Sequence, residues 1–328
     1  MRPRFLASGE APPPRALAVD GMMSGAERTY SHWRGAPALP DALRADTSTG
    51  ILLKAGQEPQ RWLAGLEWAC NDHVDADGLL AVALACQPGL GRAQQALLIG
   101  AAEAGDFTAY PGAAAYRLLL RLNQYIRSCC ARSADWQAAA YRDIPAALPE
   151  LIRTSGEADD ERDAQVRLVE ETQARLRTGD GFLVERAERL LSIGWRRRLG
   201  QGSDAFNVVH QREDLPLHAI AAIARADEFQ LLAMATPSGT VYQLDAPRHS
   251  WAETVELPHV PWPDLSDLRD RLNAEETGPV RWLARPEASQ AGFVCLLAST
   301  SPAGQPEASC IPPERLRSAC AEALAKRP

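Results

Sequence analysis

Between residues 72 and 86 the chain changes character abruptly. Asp72-His73-Val74-Asp75-Ala76-Asp77-Gly78 packs three carboxylates and an imidazole into six residues, and Leu79-Leu80-Ala81-Val82-Ala83-Leu84-Ala85-Cys86 follows without a charge. An unbroken apolar run of this kind is a buried element, most simply a helix. Upstream, Leu66-Glu67-Trp68-Ala69-Cys70-Asn71 reads either as a strand or as the end of a helix begun near Pro59. Only the strand delivers the charged residues to a sheet end. The segment thus points to a strand, a turn and a helix, the unit from which open α/β sheets are built. In such sheets ligand sites collect beyond the carboxyl ends of the strands.

In extended backbone, side chains alternate faces, which would set His73, Asp75 and Asp77 on one side. Three hard donors together suit Mn²⁺ or Mg²⁺, and Gly78 lets the chain turn sharply. A cation there would lower the pKa of a bound water and polarise a phosphoryl oxygen. His73, Asp75 and Asp77 are therefore candidate metal ligands, and Asp75 and Asp77 also count as candidate catalytic residues. Asp106, in Gly105-Asp106-Phe107 after a helix expected over 93–104, offers a further ligand from a separate segment, although a helix-ending turn is the simpler reading of it. A calcium loop is excluded. With Gly78 at its sixth position, imidazole would stand first and Leu84 twelfth, where a carboxylate is required. The bland alternative is a solvated turn in which Asp77 caps the next helix and Asp72 and Asp75 face water.

Other segments carry weaker signals. Arg248 could pair bidentately with a phosphate or carboxylate, and His249 beside it could exchange a proton near neutral pH. Both are candidate catalytic residues, unless Arg248-His249-Ser250-Trp251 is simply an exposed strand end. Asp46-Thr47-Ser48-Thr49-Gly50 could hold a phosphate with its hydroxyls and amides or form an ordinary Asx or Ser/Thr turn. His32 next to Trp33 could line a pocket or pack at the surface. The chain has no Gly-x-Ser-x-Gly, Walker A run, His-Glu-x-x-His or zinc-ribbon cysteine spacing, which sets aside the machineries those motifs serve.

The hexapeptide His73-Val74-Asp75-Ala76-Asp77-Gly78 resembles the first motif of the DHH-type phosphoesterases, which follows a strand and opens a helix. The resemblance implies that His73, Asp75 and Asp77 bind Mn²⁺ or Mg²⁺, which activate water for attack on phosphorus. It implies a metal-dependent hydrolase of a small anionic, phosphorylated or nucleotide-like substrate. The chain departs from that superfamily in lacking the Asp-His-His triplet and the glycine-rich, histidine-ending motif of the usual C-terminal domain. Those departures suit a non-catalytic binding or scaffolding protein that keeps a partial metal site. The wider pattern is similar to an uncharacterised bacterial family of unknown function. It is carried by Ser31-His32-Trp33, Asp46-Thr47-Ser48-Thr49-Gly50, residues 73–78, Gly105-Asp106-Phe107, Ser250-Trp251 and residues 267–282, and brings no established activity with it.

The 328 residues suffice for two domains, and the net charge of −7 argues against general nucleic-acid binding. The seven cysteines form no Cys-x-x-Cys pair, which fits a reducing cytoplasm. No run is long enough for a membrane span, and oligomeric state is not legible. The expected architecture is α/β in four parts: a loose, proline-rich segment over 1–15; an α/β domain over 16–110; a helical segment over 111–203; and a smaller mixed α/β domain over 204–328. Within these, strands are expected at 16–21, 51–53, 206–210, 229–236, 240–244, 280–283 and 293–297. Helices are expected around 115–126, 135–141, 147–152, 183–191, 217–226 and 265–272, with a terminal helix from about 313.

Overall fold

Ala16-Leu17-Ala18-Val19 is apolar at every position and wholly buried, as a central parallel strand requires. In the computed structural model, which describes residues 1–187, 189–196, 218–220, 228–291 and 294–325, it is β2 of a four-stranded sheet. The order is β1 (Arg2–Phe5), β4 (Trp68–Asn71), β2 (Ala16–Val19), β3 (Arg28–Tyr30), and every pairing is parallel. The two inner strands are the more buried pair, the two edges the less. Residues 2–5, expected within a loose segment, are thus an edge strand registered against Trp68, Ala69, Cys70 and Asn71.

By contact the chain divides into two compact units, Met1–Arg167 with Trp251–His259, and Leu168–Ser250 with Val260–Pro328. The first unit holds the parallel sheet and its helices: α1 (Ser48–Ala55), α2 (Pro59–Trp62), α3 (Ala76–Cys86), α4 (Gln95–Asp106), α5 (Ala113–Arg132) and α6 (Trp136–Ser155). α3 is the apolar run, buried from Ala76 to Ala85 among α1, α4, α6 and β4. Its alanines let those neighbours approach, while Leu79, Leu80 and Leu84, each at most 1% exposed, contribute about 1.5–3 kcal/mol apiece of transfer free energy.

The strand expected at 51–53 is instead the middle of α1. Thr47 caps that helix by accepting from the Gly50 amide, and a helix start won over a short apolar triplet. The two helices expected within 135–152 are one, α6, which runs through Pro145 and Pro149.

The second unit is a six-stranded mixed sheet, ordered β5 (Phe182–Ala187), β6 (Leu190–Arg196), β7 (Phe229–Thr236), β8 (Gly239–Asp245), β10 (Cys295–Thr300), β9 (Arg281–Ala284). Only β6 and β7 run parallel. Ser266–Glu275 and Pro313–Ala325 are helices of this unit, and Phe229, Tyr242 and Trp282 lie in its core. The helix expected over 183–191 is the β5–β6 hairpin. Leu183 is 58% exposed, whereas Leu190, Leu191, Ile193 and Trp195 are buried by strands on both sides of β6, so long-range pairing overrode the local period. The strand expected at 206–210 lies outside the described residues, as does most of the helix expected over 217–226. α7 (Asp160–Thr178) continues the helical stretch that α5 opens. The chain is therefore an α/β protein, and among the described residues no helix is long and apolar enough to cross a membrane.

Candidate metal centre

Three parallel strands end side by side, and each delivers a charged or imidazole side chain just past its last residue. β2 ends at Val19 and is followed by Asp20, β3 leads through Ser31 to His32, and β4 leads through Asn71 to Asp72 and His73. Asp20 is 1% exposed and sits at φ 65°, the left-handed region that non-glycine residues rarely enter. That conformation turns its carboxylate back across the strand ends. Oδ1 accepts from Ser48 Oγ at 2.9 Å and lies 3.3 Å from His32 Nε2, while Oδ2 lies 3.1 Å from His73 Nε2.

The two histidines are built alike. His32 Nδ1 is 2.6 Å from the Asp46 carbonyl, which carries no proton, so the ring nitrogen donates. Its Nε2 then faces Asp20 at 3.3 Å, Asp106 Oδ2 at 3.4 Å and Asp77 Oδ2 at 3.7 Å, all in a side-chain environment at most 5% exposed. His73 Nδ1 meets Asp72 Oδ1 at 2.9 Å, leaving Nε2 to Asp20 Oδ2 and to Asp75 Oδ2 at 3.4 Å. An imidazole whose other nitrogen is committed to a carbonyl or carboxylate is the usual form of a metal-ligating histidine.

The carboxylates are held from separate elements. Asp75 is the N-cap of α3, accepting from the Gly78 amide at 2.8 Å with Oδ1 and leaving Oδ2 for His73. Asp77 lies in the first turn of α3 and is fully buried. Its two oxygens take the Ser48 and Thr49 amides at the start of α1, both at 2.7 Å. The 46–50 segment, considered above as a phosphate cradle, therefore spends those amides on a protein carboxylate. Asp106 is the last residue of α4, where the helix macrodipole disfavours negative charge. Gly78 is required by close approach: a Cβ there would stand 2.3 Å from Asn71 Nδ2 and 2.7 Å from the Tyr141 hydroxyl. That hydroxyl accepts from Asn71 Nδ2 at 2.9 Å and donates to the His73 carbonyl at 2.7 Å, which locks the β4–α3 turn.

The electrostatics follow from this crowding. Burial works against charge on His73, but Asp20 and Asp75 outweigh it and lift the pKa to about 11. Burial opposes charge on His32 as well, and Asp20 and Asp77 with the Asp46 carbonyl still raise it overall. Burial, reinforced by the charge of Asp20, pushes the Asp77 carboxyl up to about 7. Burial, together with Asp77, Asp75 and Asp20, takes Asp106 well above the ordinary carboxylate range. Asp20 alone goes the other way: burial would raise it, but His32 and His73 bring it below that range. Without a cation the cluster holds extra protons.

Among the described residues two triads of ligand atoms, each within 4.8 Å of one another, emerge: Asp20, His32 and Asp77, all buried, and Asp20, His73 and Asp75, partly exposed. Asp20 belongs to both. The residues fit a cation on a further observation. His32 Nε2 and Asp106 Oδ2 are buried 3.4 Å apart, and neither makes a hydrogen bond of good geometry, a state that costs up to about 1–3 kcal/mol per group unless something satisfies it.

Of the sequence candidates, His73, Asp75, Asp77 and Asp106 lie in this one cluster. They do not share the face of an extended strand, because the strand ends at Asn71 and Asp77 is already helical. The N-cap is Asp75, not Asp77. Asp20 and His32 were not among the ligand candidates. In the sequence Asp20 closes a short apolar strand, and His32 beside Trp33 fits either a pocket lining or surface packing; the available signal is only that each follows a short apolar or β-prone run. Arg248 and His249 belong to the second unit. There Arg248 pairs with the buried Asp245 at 3.3 Å, which also accepts from Gln243 Nε2 at 2.6 Å.

A parallel α/β unit with an Asp–His cluster beyond its strand ends defines the class: an α/β protein with a candidate metal centre. The model of a family of unknown function, DUF6687, matches residues 1–328, and the chain belongs to that family. No curated protein and no solved structure matches the chain. None of these comparisons shows a likeness to DHH-type phosphoesterases.

Proposed function

We propose that the chain is a metal-dependent hydrolase acting on a phosphorylated or nucleotide-like substrate, with a pair of Mn²⁺ or Mg²⁺ ions shared by Asp20. The observation that carries this reading is the placement of two imidazole Nε2 atoms, each with its Nδ1 committed elsewhere, on opposite oxygens of one buried carboxylate. Bound divalent cations supply Lewis acidity toward a phosphoryl oxygen and a water of lowered pKa. Four carboxylates, Asp20, Asp75, Asp77 and Asp106, match the charge of two such ions. Asp20 would serve both ions, with His32, Asp77 and Asp106 able to hold one on the buried side and His73 and Asp75 able to hold the other on the side open to solvent. His73 and Asp75 are 30% and 42% exposed, so an anionic substrate reaches the cluster from their side, past the Trp33 ring 5.3 Å from His73.

The test is metal content after purification without chelator, followed by phosphodiester and nucleotide hydrolysis with added Mn²⁺. Two equivalents per chain with Mn²⁺-dependent turnover are expected. Protein that neither retains nor rebinds metal sinks the proposal. Bound metal without turnover on any such substrate leaves the binding role and removes the enzyme.

A further inference from the structure

Residues 251–259 return to the first unit from far along the chain, and they converge on His32. Asp46 is the joint. Its carboxylate, 8% exposed, accepts three successive backbone amides: Val255, Glu256 at 3.0 Å and Leu257 at 3.1 Å. Consecutive amides around one carboxylate form an anion nest, a rigid grip. The backbone carbonyl of the same Asp46 takes the His32 Nδ1 proton. The segment holds His32 and its neighbour in three further ways. The Glu253 amide donates to the His32 carbonyl at 2.7 Å, and Ala252 bridges to Trp33 next door. The Trp251 ring stands edge-on to the imidazole with centroids 5.1 Å apart, and also packs on Phe107, the residue after Asp106, at 5.9 Å.

The geometry points to Asp46 and Trp251 as positioning residues that set cation affinity at the buried half of the centre (Asp20, His32, Asp77, Asp106) and not at the exposed half (Asp20, His73, Asp75). This rests on the metal centre proposed above. The physical reason is that a ligating imidazole needs its tautomer and ring plane fixed by what its other nitrogen touches. If residue 46 drifts, Nδ1 loses its acceptor, the proton can move to Nε2, and the lone pair aimed at Asp20, Asp77 and Asp106 is gone. His73 takes its Nδ1 partner from Asp72; the segment meets this histidine at second hand, through the Trp33 ring that lies 5.8 Å from Trp251 and 5.3 Å from His73, and none of these contacts reaches its Nδ1 partner.

The experiment uses the full chain stripped of metal and titrated with Mn²⁺. Calorimetry counts the sites, and electron paramagnetic resonance distinguishes a spin-coupled pair from isolated ions. Hydrogen exchange over residues 252–258 reports whether the segment is held. Wild type is expected to bind two ions and show the coupled signal. Asp46→Ala keeps the backbone carbonyl but should free the 255–257 amides and let it drift, weakening one site by up to the about 10- to 100-fold lost when a ligand's outer partner is removed outright. It should leave the other site within twofold and replace the coupled signal by an isolated one at low Mn²⁺. Asp46→Asn, which keeps one acceptor oxygen, should fall between. Trp251→Phe should weaken the same site without freeing the amides, and these two variants carry the test if Asp46→Ala does not fold. Two unchanged sites in the variants, with the amides exchanging freely in Asp46→Ala or Asp46→Asn, overturn the inference and leave the metal centre standing. Wild type that binds no Mn²⁺ overturns both.

Discussion

Removing metal should make the protein's stability depend on pH in a direction opposite to that of an ordinary acid-sensitive protein. The magnitude follows from Asp77. A carboxyl moved from 3.8 to about 7 by burial and by Asp20 favours its protonated form by about 4 kcal/mol more in the folded chain than in the unfolded one. Because the folded pKa is the higher one, the stabilisation is complete below pH 3.8 and is lost as pH rises through 7. About 3 kcal/mol of that loss falls above pH 5, a drop of roughly 6–12 °C in melting temperature for a unit of this size. His73, raised to about 11, adds a loss of the same sign above pH 6.5. Cations replace the protons. At 100-fold excess over Kd each ion adds about 2.7 kcal/mol, so two should lift the transition at pH 8 by roughly 10–20 °C. At pH 5 protons compete and the lift should shrink. Scanning calorimetry of metal-free protein from pH 5 to 8, with and without Mn²⁺, measures all of this. A metal-free melting temperature that holds level or climbs over that range, or a Mn²⁺ shift of equal size at both ends, refutes the reasoning.

Three further outcomes are expected. Asp20→Asn keeps the side-chain shape, and asparagine tolerates the left-handed backbone at this position; the variant should fold, lose both metal ions by mass spectrometry, and flatten the pH slope of the metal-free protein. Tyr141→Phe removes the hydroxyl between Asn71 and the His73 carbonyl; urea unfolding should report a loss of about 1–3 kcal/mol, and an unchanged midpoint would deny it the locking role. Arg248→Gln leaves the buried Asp245 carboxylate without its cation and should destabilise the protein by about 3–5 kcal/mol, with Mn²⁺ stoichiometry unchanged; lost metal would tie Arg248 to the centre after all.

The part of the site legible in the sequence is the part that is local in the chain. His73, Asp75 and Asp77 stand within five residues before an apolar run, and Asp106 follows a recognisable helix. Asp20 and His32 were illegible as ligands because nothing in a lone acid at a strand end, or a histidine beside a tryptophan, says which strands lie side by side. The parallel order β1-β4-β2-β3 supplies that information, and β1 itself hid in a proline-rich, charged segment. The same limit explains the larger misreadings of the fold. Ile51-Leu52-Leu53 is helical because Thr47 caps α1 and Asp77 binds its first amides, the latter a contact 28 residues away. Residues 182–196 are strands because β6 finds β7. The strands 229–236 and 240–244, joined by a glycine turn, needed no distant information and were read correctly.

The hold of Asp77 on the start of α1 separates two kinds of position among relatives of this chain. An acid at 77 is demanded by folding alone, since without it two buried amides lose their acceptor, and a descendant that had abandoned its chemistry would still need one. Asp20, His32 and Asp106 hold no backbone amide in this way, although Asp20 accepts from the Ser48 hydroxyl and His32 donates to the Asp46 carbonyl. A relative that keeps the acid at 77 but carries alanine, phenylalanine or leucine at those three places should be read as a retired copy with an intact skeleton.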